Sequence, residues 1–191
     1  MKQELSDFMF RGLLAKHSLR DMEAVGQLRP ASRNAEEMQD VDMLAPVPEA
    51  IRASSVYMQR CYRLLFILEN LVRQFVQDVL EEKDGTDWFN KRANNDVKKK
   101  VAGRKSQEEK NQWHSGRNTH PINYIDFGDL ALLIQTHWAE FKDLIPTQAW
   151  AVSRLNDAER SRNVIAHTNV LSDEEVTRLE MTLNDWIKQI G

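Results

Sequence analysis

One long apolar stripe constrains the fold more than any other feature of the sequence. Between about Pro48 and Lys83, apolar side chains recur at the three- and four-residue spacing of an amphipathic helix. The stripe consists of Cys61, Leu65, Leu68, Val72, Phe75 and Val79, widened by Leu64, Phe66 and Leu71. A helix with so broad an apolar face is expected to be surrounded by other elements. The pattern therefore predicts a long helix at the centre of the fold.

Shorter helical patterns follow this stripe. Asp84 and Gly85 are predicted to end the long helix. Thr86 is predicted to cap the next helix, which carries Trp88, Phe89 and a lysine-rich run. The lysines predict that one face of this helix lies in solvent.

Further helices are predicted in the C-terminal half. Asp126 is predicted to cap a helix whose apolar side is formed by Phe127, Leu130, Ile134, Trp138, Phe141 and Ile145. Pro146 is predicted to stop that helix and to occupy the first turn of the next, which runs from about residue 147 to residue 168. Ser172 and Glu175 form a capping box that opens a last helix. Because no segment alternates like a strand, we predict an all-α bundle of about four to five main helices with an N-terminal helical arm.

The first part of the chain is patterned less regularly than the rest. A short amphipathic helix is predicted at residues 1–17 and another short helix at about 31–43. A chain of 191 residues suits one domain with an extension better than two full domains. We interpret residues 1–50 as an N-terminal helical arm and linker, and residues 51–191 as one helical domain.

Composition indicates a globular protein of a reducing compartment. Cys61 is the single cysteine, so it has no partner for a disulfide. No stretch approaches the roughly 20 apolar residues that span a bilayer, and residues 1–17 lack the apolar region of a signal peptide. We therefore expect a cytoplasmic location and no membrane association. The absence of a phosphate-binding glycine loop, a serine elbow and a dinucleotide fingerprint excludes the commonest nucleotide-hydrolase and dehydrogenase classes.

Charge is distributed unevenly along the chain. Between Lys83 and Arg117, ten Lys or Arg face five Asp or Glu, so this segment carries +5 and the remainder −8, for a net charge of −3. Such a basic segment would track an RNA backbone and make binding sensitive to salt, although a solvated helix face explains it as well. The predicted RNA-binding residues are Arg92, Lys98, Lys99, Lys100, Arg104 and Lys105.

Arg162 stands in an apolar environment on the helix predicted at 147–168. On an ideal helix, Leu155, Ala158 and Ile165 all lie within about 60° of it. An arginine in an apolar stripe needs a partner, and the ordinary explanation is a structural arginine paired with a carboxylate. Glu69 on the central helix is the candidate partner.

The same segment carries two further polar groups. Asn163 and His167 are four positions apart and share a helix face, whereas Arg162 and His167 are separated by about 140°. One undistorted helix cannot aim both side chains at one atom. Either the helix unwinds near Ala166, or a second copy of the chain completes the site across a two-fold axis.

The segment Arg162-Asn163-Val164-Ile165-Ala166-His167 resembles the motif of the HEPN superfamily, in which an Arg, often followed by a polar residue, precedes a His by four to six intervening residues. Other blocks are similar to the Swt-type HEPN subgroup in the same order. They are the helix Tyr62 to Phe75, the stretch Tyr124 to Leu130, the pair Trp138 and Phe141, and the stretch Leu171 to Glu175. The resemblance spans roughly residues 56–190.

The resemblance implies a helical bundle, frequent homodimers and metal-independent endoribonuclease activity. RNA carries its own nucleophile, the 2'-hydroxyl, so the protein must move protons and stabilise negative charge on phosphorus. Histidine suits proton transfer because an imidazole ordinarily titrates near neutrality. The implied roles are proton transfer for His167, phosphate binding for Arg162, and orientation of the phosphate or the histidine for Asn163. The products would be a 2',3'-cyclic phosphate and a 5'-hydroxyl.

Three residues are predicted to support this site. Glu69 would orient Arg162 or His167, and Asn70 would hydrogen-bond nearby. An ordinary helix pair between Glu69 and Arg73 explains that carboxylate at least as well. Arg160 would bind a flanking phosphate, or it is a solvated surface arginine.

Two functional hypotheses remain open from the sequence. One is a ribonuclease that acts as a toxin or defence effector, and the other is a noncatalytic HEPN module that dimerises and binds RNA or a protein. In either case residues 1–50 are a candidate binding arm for a regulatory partner. No cofactor and no metal are predicted, because His114 and His120 are the only histidines close together and no cysteine accompanies them.

Overall fold

The computed structural model describes residues 43–111, 113–114, 116–117 and 119–190. The helix predicted at 1–17 and nearly all of the helix predicted at 31–43 lie outside these ranges. The chain divides into two compact units, residues 1–53 and residues 54–191. All of the predicted site residues belong to the second unit.

Most of the described residues are helical, and none of them lies in a strand, which confirms the all-α prediction. No helix among them is both long and apolar enough to cross a membrane. From Glu49 onward, the described α-helices are α1 (Glu49–Asp84), α2 (Trp88–Arg92), α3 (Asn95–Glu109), α4 (Phe127–Thr136), α5 (Trp138–Phe141), α6 (Gln148–Ala166) and α7 (Asp173–Ile190). Two 3₁₀ helices, Gly85–Asp87 and Pro121–Tyr124, join α1 to α2 and precede α4.

Helix α1 contributes its apolar stripe to the core, as predicted. The buried members are Cys61, Leu65, Leu68, Val72, Val76, Val79 and Leu80. Phe66 does not belong to the buried stripe, contrary to the prediction, because its side chain is 55% exposed. Two positions on a helix correspond to a rotation of about 200°, so Phe66 lies almost opposite Leu68.

An aromatic cluster ties the ends of several helices together. The ring of Phe75 on α1 lies 5.6 Å from Phe141 on α5 and 6.0 Å from Trp186 on α7, measured between centroids. Trp150 on α6 lies 5.0 Å from Trp186. Because Trp186 is fully buried, the cluster fixes the start of α6 against the end of α7.

The lysine-rich helix begins later than predicted. Thr86 does not cap it, because residues Gly85–Asp87 form a 3₁₀ helix that leads into the short helix α2. Ala93 then adopts an extended conformation and interrupts the helix. The side chain of Asn94 accepts a hydrogen bond from the backbone N–H of Val97 at 2.9 Å and caps α3 instead.

The helix predicted from Asp126 to Ile145 is also interrupted. Asp126 begins α4 as predicted, but α4 ends at Thr136 and His137 separates it from α5. The imidazole of His137 contacts the backbone carbonyl of Arg92 at 2.9 Å, which holds this break against the end of α2.

Thr147 rather than Pro146 defines the start of α6. The Thr147 hydroxyl accepts a hydrogen bond from the N–H of Trp150 at 3.1 Å, so Pro146 precedes the cap and is not in the first turn. The capping box of α7 is confirmed. The Ser172 N–H donates to the Glu175 carboxylate at 2.8 Å, and the Glu175 N–H donates to the Ser172 hydroxyl at 3.3 Å.

Candidate functional site

The predicted motif lies at the end of α6. Ala151, Leu155 and Ala158 bury one face of this helix, and α4 packs along it. The helix ends at Ala166, so His167 occupies the C-terminal cap position. The apolar face therefore anchors the helix while its polar end reaches the surface.

A Schellman turn closes α6 immediately after His167. The N–H of Thr168 donates to the carbonyl of Ile165 at 3.0 Å, and the N–H of Asn169 donates to the carbonyl of Val164 at 3.1 Å. Thr168 takes a left-handed conformation with φ of +55°. The hydroxyl of Thr168 and the amide of Asn169 both donate to the carbonyl of His167, at 2.7 and 3.1 Å. The backbone of His167 is therefore fixed by its own neighbours.

Arg162 is half-buried and faces the N-terminus of α4. Its side chain is 39% exposed, and its Nη2 atom lies 3.6 Å from Oδ1 of Asp126. Its Nη1 atom donates to Oδ1 of Asn163 at 3.2 Å. The carboxylate in ion-pair contact with Arg162 is thus Asp126 and not the predicted partner Glu69.

Glu69 forms the helix pair with Arg73 that the sequence offered as the alternative. The two side chains are ion-paired and both largely buried, and Arg73 also donates to the carbonyl of Ile125 at 2.9 Å. Burial raises the pKa of Glu69, against the lowering effect of the positive charges of Arg73 and Arg162. Glu69 therefore belongs to the electrostatic surroundings of Arg162 without contacting it.

Asp126 is surrounded by positive charge. The guanidinium of Arg104 donates to both of its oxygens, at 2.7 and 3.2 Å, and Nζ of Lys100 lies 3.9 Å away. Burial by itself would raise the pKa of this carboxyl. The hydrogen bond from Arg104 and the charges of Arg104, Arg162 and Lys100 outweigh burial and hold the pKa below its usual range. Asp126 is consequently a firmly ionised carboxylate.

His167 and Asn163 are both exposed on the surface. Among the described residues, no hydrogen bond or ion pair engages the imidazole of His167, and none joins it to Arg162. The structure brings Arg162 and Asn163 together and leaves His167 apart. The helix does end at Ala166, yet this ending does not bring the imidazole into contact with the guanidinium within one chain.

The other two supporting residues make local helix contacts. The Asn70 amide donates to the carbonyl of Phe66 at 2.8 Å. Arg160 pairs with Asp157 at 3.0 Å, and both side chains are well exposed. Such an exposed pair holds an arginine only weakly, so Arg160 is accessible to another anion.

The six predicted RNA-binding cations have different surroundings. Arg92 pairs with Asp84 and contacts Glu140 at 3.4 Å. Lys100 binds both oxygens of the buried Asp129 at 2.7 Å. Arg104, besides binding Asp126, donates to the carbonyl of Tyr124. Arg92, Lys100 and Arg104 thus have carboxylate partners inside the protein.

The remaining three cations of this set lie on α3. The Lys105 ammonium donates to the carbonyl of Thr119 at 3.1 Å and lies 5.3 Å from the ring centre of Tyr124. Neither Lys98 nor Lys99 has a carboxylate partner among the described residues. Lys98 and Lys99 are therefore the members of the set best able to meet an external phosphate.

Sequence reasoning missed the importance of Asp126, which it treated only as a helix cap. Capping is a local signal, whereas the contacts with Arg104 and Arg162 join α3, α4 and α6. One sequence signal could have pointed to this role of Asp126, namely that two carboxylates, Asp126 and Asp129, follow an apolar stretch. In the described part of the chain, no three metal-ligating side chains converge on one point.

Comparison with known protein families identifies the second half of α1 and everything after it as one family domain. The family model described as Swt1-like HEPN matches residues 63–191. This range contains the Arg162 to His167 motif and every other predicted site residue, and it confirms the resemblance noted in the sequence. No curated protein and no solved structure matched the chain.

Proposed function

We propose that this chain, which belongs to the Swt1-like HEPN family, is a metal-independent endoribonuclease. Its active site would contain Arg162, Asn163 and His167. The observation that supports this most is the end of α6. There, a half-exposed arginine hydrogen-bonded to Asn163 precedes, by five positions, an exposed histidine that forms no hydrogen bond or ion pair within the described residues. Exposed polar groups of these types suit an external phosphate.

The proposed reaction uses the 2'-hydroxyl of RNA as nucleophile. A base removes its proton, a bond forms between O2' and phosphorus, and the bond from phosphorus to O5' breaks. The leaving O5' takes a proton, so the products are a 2',3'-cyclic phosphate and a 5'-hydroxyl. Arg162 binds the nonbridging oxygens as negative charge grows on them, and Asn163 orients the guanidinium that it contacts.

We propose that the working enzyme is a homodimer. Arg162 and His167 lack contact within one chain, although the proposed reaction needs both side chains at one phosphate. A two-fold axis near the end of α6 would bring the His167 of one chain beside the Arg162 of the other. Each active site would then consist of an arginine from one copy and a histidine from its partner.

Complementation between two inactive variants tests the dimer. Arg162→Ala and His167→Ala are purified separately, and the cleavage rate is then measured before and after mixing. Mixed dimers would contain one site with both side chains intact, so mixing should restore a substantial part of the wild-type rate. No recovery, under conditions in which the chains exchange, would contradict a site shared between copies.

The enzymatic proposal is tested with His167→Ala and with His114→Ala as a matched control. His114 is also exposed, and its described side-chain contact is with the ring of Trp113. Each protein is incubated with a mixed RNA pool in EDTA, and binding to the same RNA is measured by fluorescence anisotropy. We expect wild type and His114→Ala to cut the RNA in EDTA, and His167→Ala to bind it without cutting.

Other outcomes of this experiment have definite meanings. If all three proteins bind RNA and none cuts it, the protein is a noncatalytic RNA-binding module and the enzymatic proposal fails. If His167→Ala cuts as fast as wild type, the proposed site is wrong. A toxin or defence role adds a further expectation, that expression of wild type but not of His167→Ala arrests cell growth.

A further inference from the structure

Asp126 lies between two arginines from different helices. Arg104 of α3 binds it through two hydrogen bonds, at 2.7 and 3.2 Å. Arg162 of α6 approaches the same carboxylate at 3.6 Å, beyond hydrogen-bond range. The two contacts are therefore unequal, with Arg104 bound firmly and Arg162 attracted by charge alone.

This inequality has a consequence for Arg162. A guanidinium has five N–H donors, and a bidentate carboxylate contact would occupy two of them. Because Arg162 instead meets Asp126 at longer range and gives one hydrogen bond to Asn163, its other N–H donors have no hydrogen-bond partner among the described residues. The Arg162 side chain is therefore oriented by Asp126 and Asn163 while not all of its N–H donors are used in hydrogen bonds.

The charges around Arg162 are closely balanced. Within the described residues, the cluster contains the cations Arg73, Lys100, Arg104 and Arg162 and the carboxylates Glu69, Asp126 and Asp129. A fourth carboxylate, that of Glu159 on α6, lies against Gly128 at the start of α4. Four positive charges therefore face four negative ones, and Arg162 is the member of the cluster that also contacts Asn163 of the motif.

We infer that Asp126 is a positioning residue for Arg162 in the proposed ribonuclease site, and that Arg104 in turn holds Asp126 in place. This inference rests on the proposed function. Asp126 does not bind RNA. It keeps the guanidinium at the α4 side of the site, away from the largely buried Glu69, whose carboxylate also attracts it. The lowered pKa of Asp126 keeps it charged throughout the neutral range.

The decisive variant is Asp126→Asn. Asparagine caps helices about as well as aspartate, so the start of α4 is retained. Removing one negative charge leaves the cluster more positive, so RNA should bind as tightly as to wild type or more tightly. The cleavage rate with saturating RNA should fall by about 10- to 100-fold, because misplacement of a catalytic group by about 1 Å has effects of this size.

Asp157→Asn is the matched control. It removes one carboxylate from an arginine of the same helix, in this case the exposed Arg160, and it should leave the cleavage rate within about twofold of wild type. An unchanged rate in Asp126→Asn would overturn the inference. So would a parallel loss of RNA binding, cleavage and melting temperature, because that pattern indicates damage to the fold.

A second measurement separates this inference from the proposed function. The Nε–Hε resonance of Arg162, assigned by its loss in Arg162→Lys, is followed by NMR without RNA. It should shift and broaden in Asp126→Asn and stay in place in Asp157→Asn, whether or not the wild-type protein cuts RNA. If wild type is inactive but the resonance shifts, the enzymatic proposal fails and the positioning contact stands. If the resonance does not move, the positioning role is wrong.

Discussion

The hydroxyl of Thr168 donates to the carbonyl of His167 at 2.7 Å, from a backbone held at φ of +55°. Left-handed backbone is uncommon for a β-branched residue, and glycine usually takes this position in a Schellman turn. The chain instead uses a threonine whose side chain fixes the preceding residue. The backbone conformation of His167 at the end of α6 is thus determined by a strained turn and by the hydrogen bonds of that turn.

Two substitutions at Thr168 should affect stability to different extents. Thr168→Gly relieves the strain of the left-handed backbone, which is worth about 1–2 kcal/mol. The same substitution removes the hydroxyl and raises the conformational entropy of the unfolded chain. Because these effects oppose each other, the free energy of unfolding should change by less than about 1 kcal/mol. Thr168→Val keeps the strain and removes the donor to His167, which should cost about 1 kcal/mol. Urea denaturation should rank glycine above valine, and the reverse order would argue against a strained turn.

The core of α1 offers a test with two adjacent residues. Leu68 is fully buried, whereas Ile67 beside it is 39% exposed. Leu68→Ala should lower the free energy of unfolding by about 2–5 kcal/mol, because it leaves a cavity in the packed centre. Ile67→Ala should cost about 1 kcal/mol or less. Similar losses in urea denaturation for both variants would show that the buried face of α1 is assigned wrongly.

The sequence predicted those parts of the fold that depend on local signals. The stripe of α1, the start of α4 at Asp126 and the capping box of Ser172 and Glu175 are all readable from spacing within a few turns. The break at His137 is different, since a contact with the carbonyl of Arg92 accompanies it. Periodicity continues through such a break, because the apolar residues on both sides face the same core.

The same distinction holds for the candidate site. The motif from Arg162 to His167 is continuous in sequence, and its placement at a helix end followed from the pattern of α6. The partner of Arg162 was not predictable, because Glu69 and Asp126 both carry a carboxylate and only packing brings Asp126 within 3.6 Å. Arg92, Lys100 and Arg104 similarly read as free cations until the fold supplies their carboxylates.

The contrast between free and paired lysines predicts the salt dependence of RNA binding. Replacing Lys98 and Lys99 together by alanine should reduce the slope of log affinity against log salt by up to about 1.4, since each phosphate contact to single-stranded RNA contributes about 0.7. Replacing Lys142 and Lys188, which are exposed and have no carboxylate partner among the described residues, should leave the slope unchanged. Equal effects of the two pairs would place the RNA elsewhere.

The lowered pKa of Asp126 predicts one feature of acid unfolding. In the unfolded chain the carboxyl of Asp126 has a pKa of about 4. As pH falls below about 4, the unfolded state therefore binds more protons at Asp126 than the folded state does. The stabilisation is therefore complete above about pH 4 and is lost as pH falls through the folded pKa. Asp126→Asn should weaken the dependence of stability on pH in this acidic range. An unchanged slope in denaturation curves would contradict the ionised state assigned to Asp126.

Glu69 should contribute with the opposite sign. Because its folded pKa is raised, the folded state binds more protons than the unfolded state once pH exceeds about 4. Its contribution to stability therefore falls as pH rises from about 4 through the folded pKa. Glu69→Gln should remove that fall, although the variant is less stable throughout because Arg73 loses its ion-pair partner. The slope, rather than the absolute stability, is the quantity to compare.

The most direct test of the central claim is chemical identification of the RNA ends left by wild type in EDTA. Attack by the 2'-hydroxyl, with proton transfer by His167, predicts fragments whose 5' ends accept phosphate from a polynucleotide kinase without prior dephosphorylation. Their 3' ends should be 2',3'-cyclic phosphates, and His167→Ala should produce neither end. Fragments with 5'-phosphate and 3'-hydroxyl ends, or the same ends from His167→Ala, would contradict the proposed chemistry.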